Sequence, residues 1–163
     1  MLSAELNSPY VHATALVVGE AGVLITGASG AGKSSLALAL LDLGARAGAF
    51  ARLIGDDRVG LTRESGRLIA FCHQSIEGKI ERRGQGVLDF PFIERAVVRF
   101  VVTLHGKNTP PPPRYPGETD PCITLAGVRI PALSLRQEAA LADLAAEVWA
   151  NPRLQRSIAG ESD

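Results

Sequence analysis

Residues Gly27-Ala28-Ser29-Gly30-Ala31-Gly32-Lys33-Ser34 spell G-x-x-x-x-G-K-S, a spacing whose chemistry is phosphate binding. Glycines let backbone N–H groups turn inward around a polyphosphate, and a following helix N-terminus adds a favourable dipole. Lys33 is placed to reach the β- and γ-phosphates, and the Ser34 hydroxyl to bind Mg²⁺. The flanks supply the required context. Gly22 to Thr26 is short, apolar and β-branched, which predicts a buried strand. Ser34 to Leu43 is rich in Ala and Leu, which predicts a helix. The whole stretch, Gly27 through Ser34, is the predicted nucleotide cradle.

Asp56-Asp57 is the second candidate pair. It closes a predicted strand, Phe50 to Ile54, and so lies at a strand's carboxyl end. Phosphate-loop enzymes use an Asp on a neighbouring strand in the Mg²⁺ shell. Adjacent residues at a strand end point to opposite sides, so one carboxylate can meet the metal and the other the attacking hydroxyl. Gly-Asp-Asp is also ordinary turn chemistry. His12 precedes the strand that pairs with the loop strand; alone it reads as a surface or capping histidine. His73 and His105 share no metal-ligand spacing with it and receive no role. In Lys79-Ile80-Glu81-Arg82-Arg83-Gly84-Gln85-Gly86, Glu81 and Arg83 alternate along what reads as a solvated edge strand. Arg129 and Arg136 bracket Pro131. An arginine beside a transferring phosphoryl group would stabilise its charge.

The elements that must position these groups follow from pattern. Thr14–Val18 and Val23–Thr26 flank a turn-rich tetrapeptide and form a hairpin feeding the loop. The helix from Ser34 ends at Gly44 as a C′ glycine, and 45–49 reads as loop. Val59–Thr62 and Arg67–Phe71 make a second hairpin, and Ile123–Leu125 with Val128–Ile130 a third. Ala96–Leu104 is the most strand-like stretch. Pro110–Pro113 is an extended loop barred from a sheet interior. A last helix spans Gln137–Trp149, begun by Ser134 or Arg136 and ended by Asn151-Pro152, with a loose tail beyond Arg153. Strands and helices do not alternate, which excludes a doubly wound dinucleotide fold.

The chain has 163 residues, enough for one domain, with a core expected over about 10–150. Acidic and basic residues balance at 17 each, so no bulk positive field points to nucleic acid. No apolar run spans a bilayer and the start lacks a signal-peptide pattern, so neither a membrane nor export is expected. Cys72 and Cys122, without C-x-x-C spacing, read as idle buried thiols in a reducing cytoplasm.

With these residues laid out, the chain resembles the kinase domain of bacterial HPr kinase/phosphorylase. The resemblance rests on His12, the Gly27–Ser34 loop, Asp56-Asp57-Arg58-Val59, Glu81-Arg82-Arg83-Gly84-Gln85-Gly86 and Arg136, in that order over residues 10–150. It departs at Ser35, where the family often has Glu, in a longer segment Ala45–Arg52, and in Pro131–Arg136, which matches the family's Pro-x-x-x-Gly-Arg-Asn only weakly. The resemblance implies a single domain over 1–163, a short form of the family comprising the kinase domain. The implied fold is α/β, a phosphate-loop kinase domain with a mixed, largely antiparallel sheet and few helices, related to phosphoenolpyruvate carboxykinase. The implied activity is Mg²⁺-dependent transfer from ATP, or pyrophosphate, to a serine of the phosphocarrier HPr, with phosphorolysis as its reverse. Asp56 would be the base, His12 would help bind phosphate, and Arg136 would contact the transferring group. Ser34, Asp57 and Glu81 would face the metal. A cytoplasmic homo-oligomer, a hexamer in family members, is implied as well. Two other readings stand beside it: a phosphate-loop kinase of a small metabolite, and a nucleotide-sensing regulator without transfer. Small-molecule kinases carry an arginine-rich lid, whereas 84–95 holds only Arg95.

Overall fold

The computed structural model describes residues 9–108 and 121–161; the proline run 110–113 lies outside them. In chain order the elements begin with β1 (Tyr10–Val11), β2 (Ala13–Val18), β3 (Ala21–Gly27), α1 (Lys33–Arg46) and β4 (Ala51–Gly55). They continue with β5 (Val59–Glu64), β6 (Arg67–Cys72), a 3-10 turn at Gln74–Ile76, β7 (Lys79–Arg82), β8 (Gly86–Asp89) and β9 (Arg95–His105). β10 (Cys122–Leu125), β11 (Val128–Arg136), α2 (Leu141–Trp149) and α3 (Pro152–Ile158) complete the described chain.

Nine strands form one mixed sheet, in the path β1-β5-β6-β9-β3-β2-β4, with β11 against β9 and β10 against β11. Only β3 and β11 pair with β9 in parallel; the other ladders are antiparallel. β7 and β8 form a separate hairpin. Two hairpin turns, Ser65-Gly66 and Ala126-Gly127, place both residues at positive φ, the geometry that matches the twist of the flanking strands.

Period-two burial separates two apolar layers. Leu16, Val23, Ile25, Phe100 and Val102 face the helices, where Leu36, Leu40, Val148 and Leu154 meet them. Ala15, Leu24, Ile54, Leu68 and Val101 fill the opposite face. The parity of β9 changes at one point. Ala96 and Val98 join the second layer, but Phe100, Val102 and Leu104 join the first. The register explains it: Gly22 pairs with Val98 and Val23 with Phe100, so Arg99 is the extra residue of a β-bulge. Gly22 permits the close approach there, since a Cβ on it would lie 2.2 Å from the Val97 carbonyl oxygen.

Several expectations are corrected. Gly44 does not end α1 but is buried inside it, where a Cβ would come within 3.1 Å of Val18 and Ala51. The helix needs a bare position against the sheet there, and the left-handed residue is Gly48 at φ +72° instead. Residues 45 and 46 are therefore helix rather than loop. Ser134 and Arg136 do not start a helix. Ala132 to Arg136 continue β11, bonded parallel to Val101–His105, and the helix starts at Leu141. The Pro131 ring occupies a position without a β9 partner, which lets the strand run through it. Among the described residues the tail beyond Arg153 is not loose. Asn151 caps α3 by accepting the Arg153 N–H at 3.0 Å, Pro152 starts it, and Leu154 anchors it in the core. The 79–83 segment is an edge-like strand, but Ile80 is fully buried against the helical layer.

Candidate functional site

β3 and β4 both run antiparallel to β2, which lies between them, so their carboxyl ends meet the amino end of β2 at one edge of the sheet. The carboxyl ends of β9 and β11 reach the same edge, because both run parallel to β3. The topology therefore gathers the glycine loop after β3, the aspartates after β4, and His12 and Thr14 at the start of β2. The aspartates are not on the strand next to the loop strand, as the sequence suggests; β2 intervenes and contributes side chains of its own.

The loop is shaped by glycines at positive φ, Gly30 at +77° and Gly32 at +97°. Gly32 is the N-cap of α1 and makes no side-chain cap, so the first N–H groups of that helix keep their bonding capacity for an anion. Lys33 is buried, and its ammonium donates to the carbonyls of Gly27 and Ala28, both at 3.0 Å. An ammonium has three donors, so one remains for a ligand. Burial lowers the Lys33 pKa from 10.5; the negative charges of Asp57 and Asp56 oppose that shift.

Asp56 is buried at the centre of the site. Its Oδ1 accepts the hydroxyls of Thr14 and Ser34, each at 2.7 Å, and its Oδ2 accepts the Glu81 N–H at 3.1 Å. A carboxylate offers about four lone-pair sites. One stays open toward the cleft, and the carboxylate cannot rotate without breaking bonds to three elements. Asp57 behaves differently. It sits at φ +64° with its side chain 77% exposed, and His12 Nε2 is bonded to its Oδ1.

The β7–β8 hairpin roofs the cleft. Arg83 reaches over the phosphate loop, its Nη2 3.7 Å from where a Cβ on Gly30 would lie. The resulting cleft holds about 400 Å³ and is lined by His12, Ser34, Asp56, Asp57 and Glu81 together with the loop glycines and Lys33. Thr14, Ser35, Leu38, Arg82 and Arg83 line it too, none of them a site residue on the sequence. Thr14 lies in β2, two residues after His12, which stands just before that strand. Arg136 is outside the cleft lining. It ends β11 beside His105, and its Nη1 donates to the Gly106 carbonyl at 3.2 Å.

Among the described residues no cluster of three or more His, Cys, Asp or Glu could cage a metal ion. Mg²⁺ does not require one. It takes one or two carboxylates, substrate phosphates and water, and the Ser34 hydroxyl beside an aspartate supplies hard oxygen donors of that kind. Cys72 is buried and Cys122 half-buried, both free; burial, with the nearby Glu77 charge, pushes the Cys72 thiol up, so it is unreactive at neutral pH. Among the described residues no helix is long and apolar enough to cross a membrane.

A phosphate loop opening a helix, with a buried aspartate bonded to the loop serine across a mixed sheet, defines a phosphate-loop domain. Within that class the chain belongs to the HPr Serine kinase C-terminal domain family, whose model matches residues 5–110. It is 38% identical over 81 residues to an HPr kinase/phosphorylase of Clostridium tetani, covering 50% of this chain and 25% of that protein. It is 44% identical over 80 residues to the Bordetella pertussis protein of the same name, covering 48% and 24%. The chain thus matches about a quarter of the length of these relatives. Its fold is similar to the solved Hpr(Ser) kinase/phosphatase from Coxiella burnetii, with a TM-score of 0.71 and 28% identity, over 90% of this chain and 95% of that one.

Proposed function

We propose that this chain is a Mg²⁺-dependent protein serine kinase that takes the γ-phosphoryl group of ATP and transfers it to an HPr-type phosphocarrier in the cytoplasm. The observation that carries the reading is Asp56: a buried carboxylate, held by Thr14, Ser34 and Glu81, facing the loop that would hold the donor. Family membership supplies the substrate class. The fold relation to phosphoenolpyruvate carboxykinase and a homo-oligomeric, hexameric state belong to the same proposal.

In the forward direction the loop N–H groups and Lys33 bind the triphosphate tail. Asp56 accepts the proton of the substrate serine as its oxygen attacks the γ-phosphorus, and ADP leaves. Mg²⁺, held by Ser34, Asp57 and Glu81 directly or through water, would neutralise charge on the phosphates. His12 assists phosphate binding. Arg136 is assigned to the transferring phosphoryl group, with Arg83, which already hangs over the loop, beside it. In reverse, inorganic phosphate attacks the seryl phosphoryl group, pyrophosphate forms, and the Asp56 carboxylic acid returns its proton to the serine oxygen. Pyrophosphate is by the same step an alternative donor.

A second division of the aspartates has its own support. The Ser34 hydroxyl donates to Asp56, the arrangement expected of a carboxylate in the metal shell. Asp57, paired with His12 at the mouth, would then receive the serine proton.

The test is a phosphotransfer assay with the purified chain, an HPr-like phosphocarrier, ATP and Mg²⁺, read as phosphoserine. Transfer to the carrier is the expected result. ATP-dependent phosphorylation of a small metabolite instead, or nucleotide binding with no transfer at all, would overturn the reading.

A further inference from the structure

Strict alternation along β4 would turn Asp57, not Asp56, toward the phosphate loop. Leu53 lies in the helix-facing layer, so Gly55 and Asp57 would share its side and Asp56 the other. One residue reverses this. β2 and β4 pair as Leu16 with Leu53 but Ala15 with Gly55, so Ile54 is the extra residue of a bulge, and its side chain packs in the opposite layer with that of Ala15. The shifted register continues to Asp56 opposite Thr14. Thr14 alternates with Ala13 and Ala15 of the opposite layer and so shares the helix-facing side of Leu16. Without the bulge, Thr14 would stand opposite Gly55, which has no side chain to meet it.

The two oxygens of Asp56 are unequal as a result. Oδ1 accepts the hydroxyls of Thr14 and Ser34, each at 2.7 Å, which fills both of its lone pairs. Oδ2 accepts only the Glu81 N–H, at 3.1 Å, and keeps one lone pair. The two hydroxyls differ as well. Ser34 has a second duty toward Mg²⁺. Thr14 is fully buried on a sheet strand, has one O–H to give, and among the described residues gives it to Asp56 alone. Its bond is the side-chain contact to Asp56 that does not change when metal and nucleotide arrive.

We propose that Thr14 is a positioning residue for phosphoryl transfer: it locks Asp56 Oδ1, so that Oδ2 is the atom that takes the proton of the acceptor hydroxyl. The inference rests on the reading of Asp56 as the base. In the step, the serine O–H bond breaks and its proton passes to Oδ2. The serine oxygen bonds to the γ-phosphorus, and the bond from that phosphorus to the bridging oxygen breaks, its electron pair leaving with ADP. Thr14 takes no part in these bonds and acts through Asp56. Without its hydroxyl, Oδ1 has a vacant lone pair and the carboxylate can turn, so fewer encounters find Oδ2 aligned with the attacking oxygen.

Thr14→Val keeps a β-branched side chain in β2 and removes the donor. In transfer from ATP to an HPr-like carrier it should lower kcat about ten- to a hundredfold, the worth of one hydrogen bond to a charged group, and leave the KM for ATP within about twofold. Thr14→Ser restores the hydroxyl and should recover most of the rate. Combined with Asp56→Asn, Thr14→Val should cost no further rate, because its effect runs through a carboxylate already gone. A purely structural role would move the denaturant midpoint and leave the kcat of the folded protein unchanged. The proposal is overturned if folded Thr14→Val turns over like the intact chain, or if Thr14→Ser is no faster than Thr14→Val. It is overturned equally if Thr14→Val raises only the Mg²⁺ requirement, which would put Asp56 on the metal. If Thr14→Val does not fold, Thr14→Ala against Thr14→Ser decides by the same split between kcat and KM. Should the intact chain transfer nothing to the carrier, the reading of its substrate falls by itself. Hydrolysis of ATP, with water in place of the serine, then reads the same variants, and a chain that does not hydrolyse ATP either overturns both.

Discussion

The phosphate-loop cleft and the cavity between β6, β9, β11 and α3 assemble their charges in different ways. At the centre of the cleft the charged groups are already bonded: Lys33 by two loop carbonyls, Asp56 by three donors, Asp57 by His12. Its phosphate cradle is set by the backbone of one continuous segment, the Gly27–Ser34 loop, and the signs of its lining are mixed. In the other cavity Arg67, Arg99, Arg129, Arg153 and Arg156 come from four separate elements, with Glu161 the one carboxylate among the described lining residues. A mixed, pre-bonded site can move protons and metal-bound oxygens between partners. A lining of arginines, which stay charged throughout, cannot.

The largest expected effect breaks the cleft side. Lys33→Ala should abolish triphosphate binding, not merely turnover, because it removes the ammonium aimed at the β- and γ-phosphates. Calorimetry with a non-hydrolysable ATP analogue checks this. Unchanged affinity in a folded variant would mean that the loop is only a glycine-rich turn.

The next effect sharpens the contrast inside the cleft. Asp56→Asn should keep nucleotide binding and lose phosphoryl transfer by about 10²–10⁴-fold, the usual worth of a general base. Asp57→Asn should instead raise the Mg²⁺ concentration needed for half-maximal rate. If the two phenotypes exchange, Asp57 with His12 is the base and Asp56 the metal-side carboxylate. Near-normal rates in both variants would reduce the pair to a turn.

This contrast also explains what the sequence could reveal. The cleft was legible because its core is contiguous: Gly27 to Ser34 carries its own spacing, and Asp56-Asp57 follows a recognisable strand. Thr14 was missed because nothing marks a threonine as a partner until β2 is known to lie between β3 and β4. Arg83 lay in a quoted motif, yet only the β7–β8 hairpin brings it over Gly30. Local turn chemistry located the hairpins at Ser65-Gly66 and Ala126-Gly127. It failed where tertiary packing overrode it: Gly44 looked like a helix stop and serves as a contact surface, and the strand expected over Val128–Ile130 runs on through Pro131 to Arg136. The arginine-lined cavity was invisible, since its arginines are scattered from Arg67 to Arg156 and converge only through the bulge at Arg99, which period-two reading does not anticipate.

That bulge supplies a smaller effect. Gly22→Ala would place a Cβ against the Val97 carbonyl. We expect a loss of about 1–3 kcal/mol in stability, the usual cost of forcing atoms into a packed site. Triphosphate binding at the cleft should survive in the folded fraction. Denaturant unfolding and the nucleotide titration measure this. Unaltered stability would show that β3 and β9 approach less closely than described.

The smallest effect concerns one proton. Burial lowers the Lys33 pKa below 10.5, with Asp57 and Asp56 opposing. Between that lowered value and 10.5 the unfolded chain still carries the proton that the native chain has lost. The unfolded state therefore binds more protons there, and stability rises with pH across that window. A bound triphosphate reverses the balance, because its negative charge favours the ammonium. Binding should then take up a fraction of a proton in the alkaline range just below 10.5, and none near neutrality, where Lys33 is charged in both states. Calorimetry in two buffers of different ionisation enthalpy reads that uptake directly. Lys33→Arg, whose guanidinium does not titrate there, should show none while keeping a positive charge at the loop. Equal uptake in both proteins would assign the proton to another group.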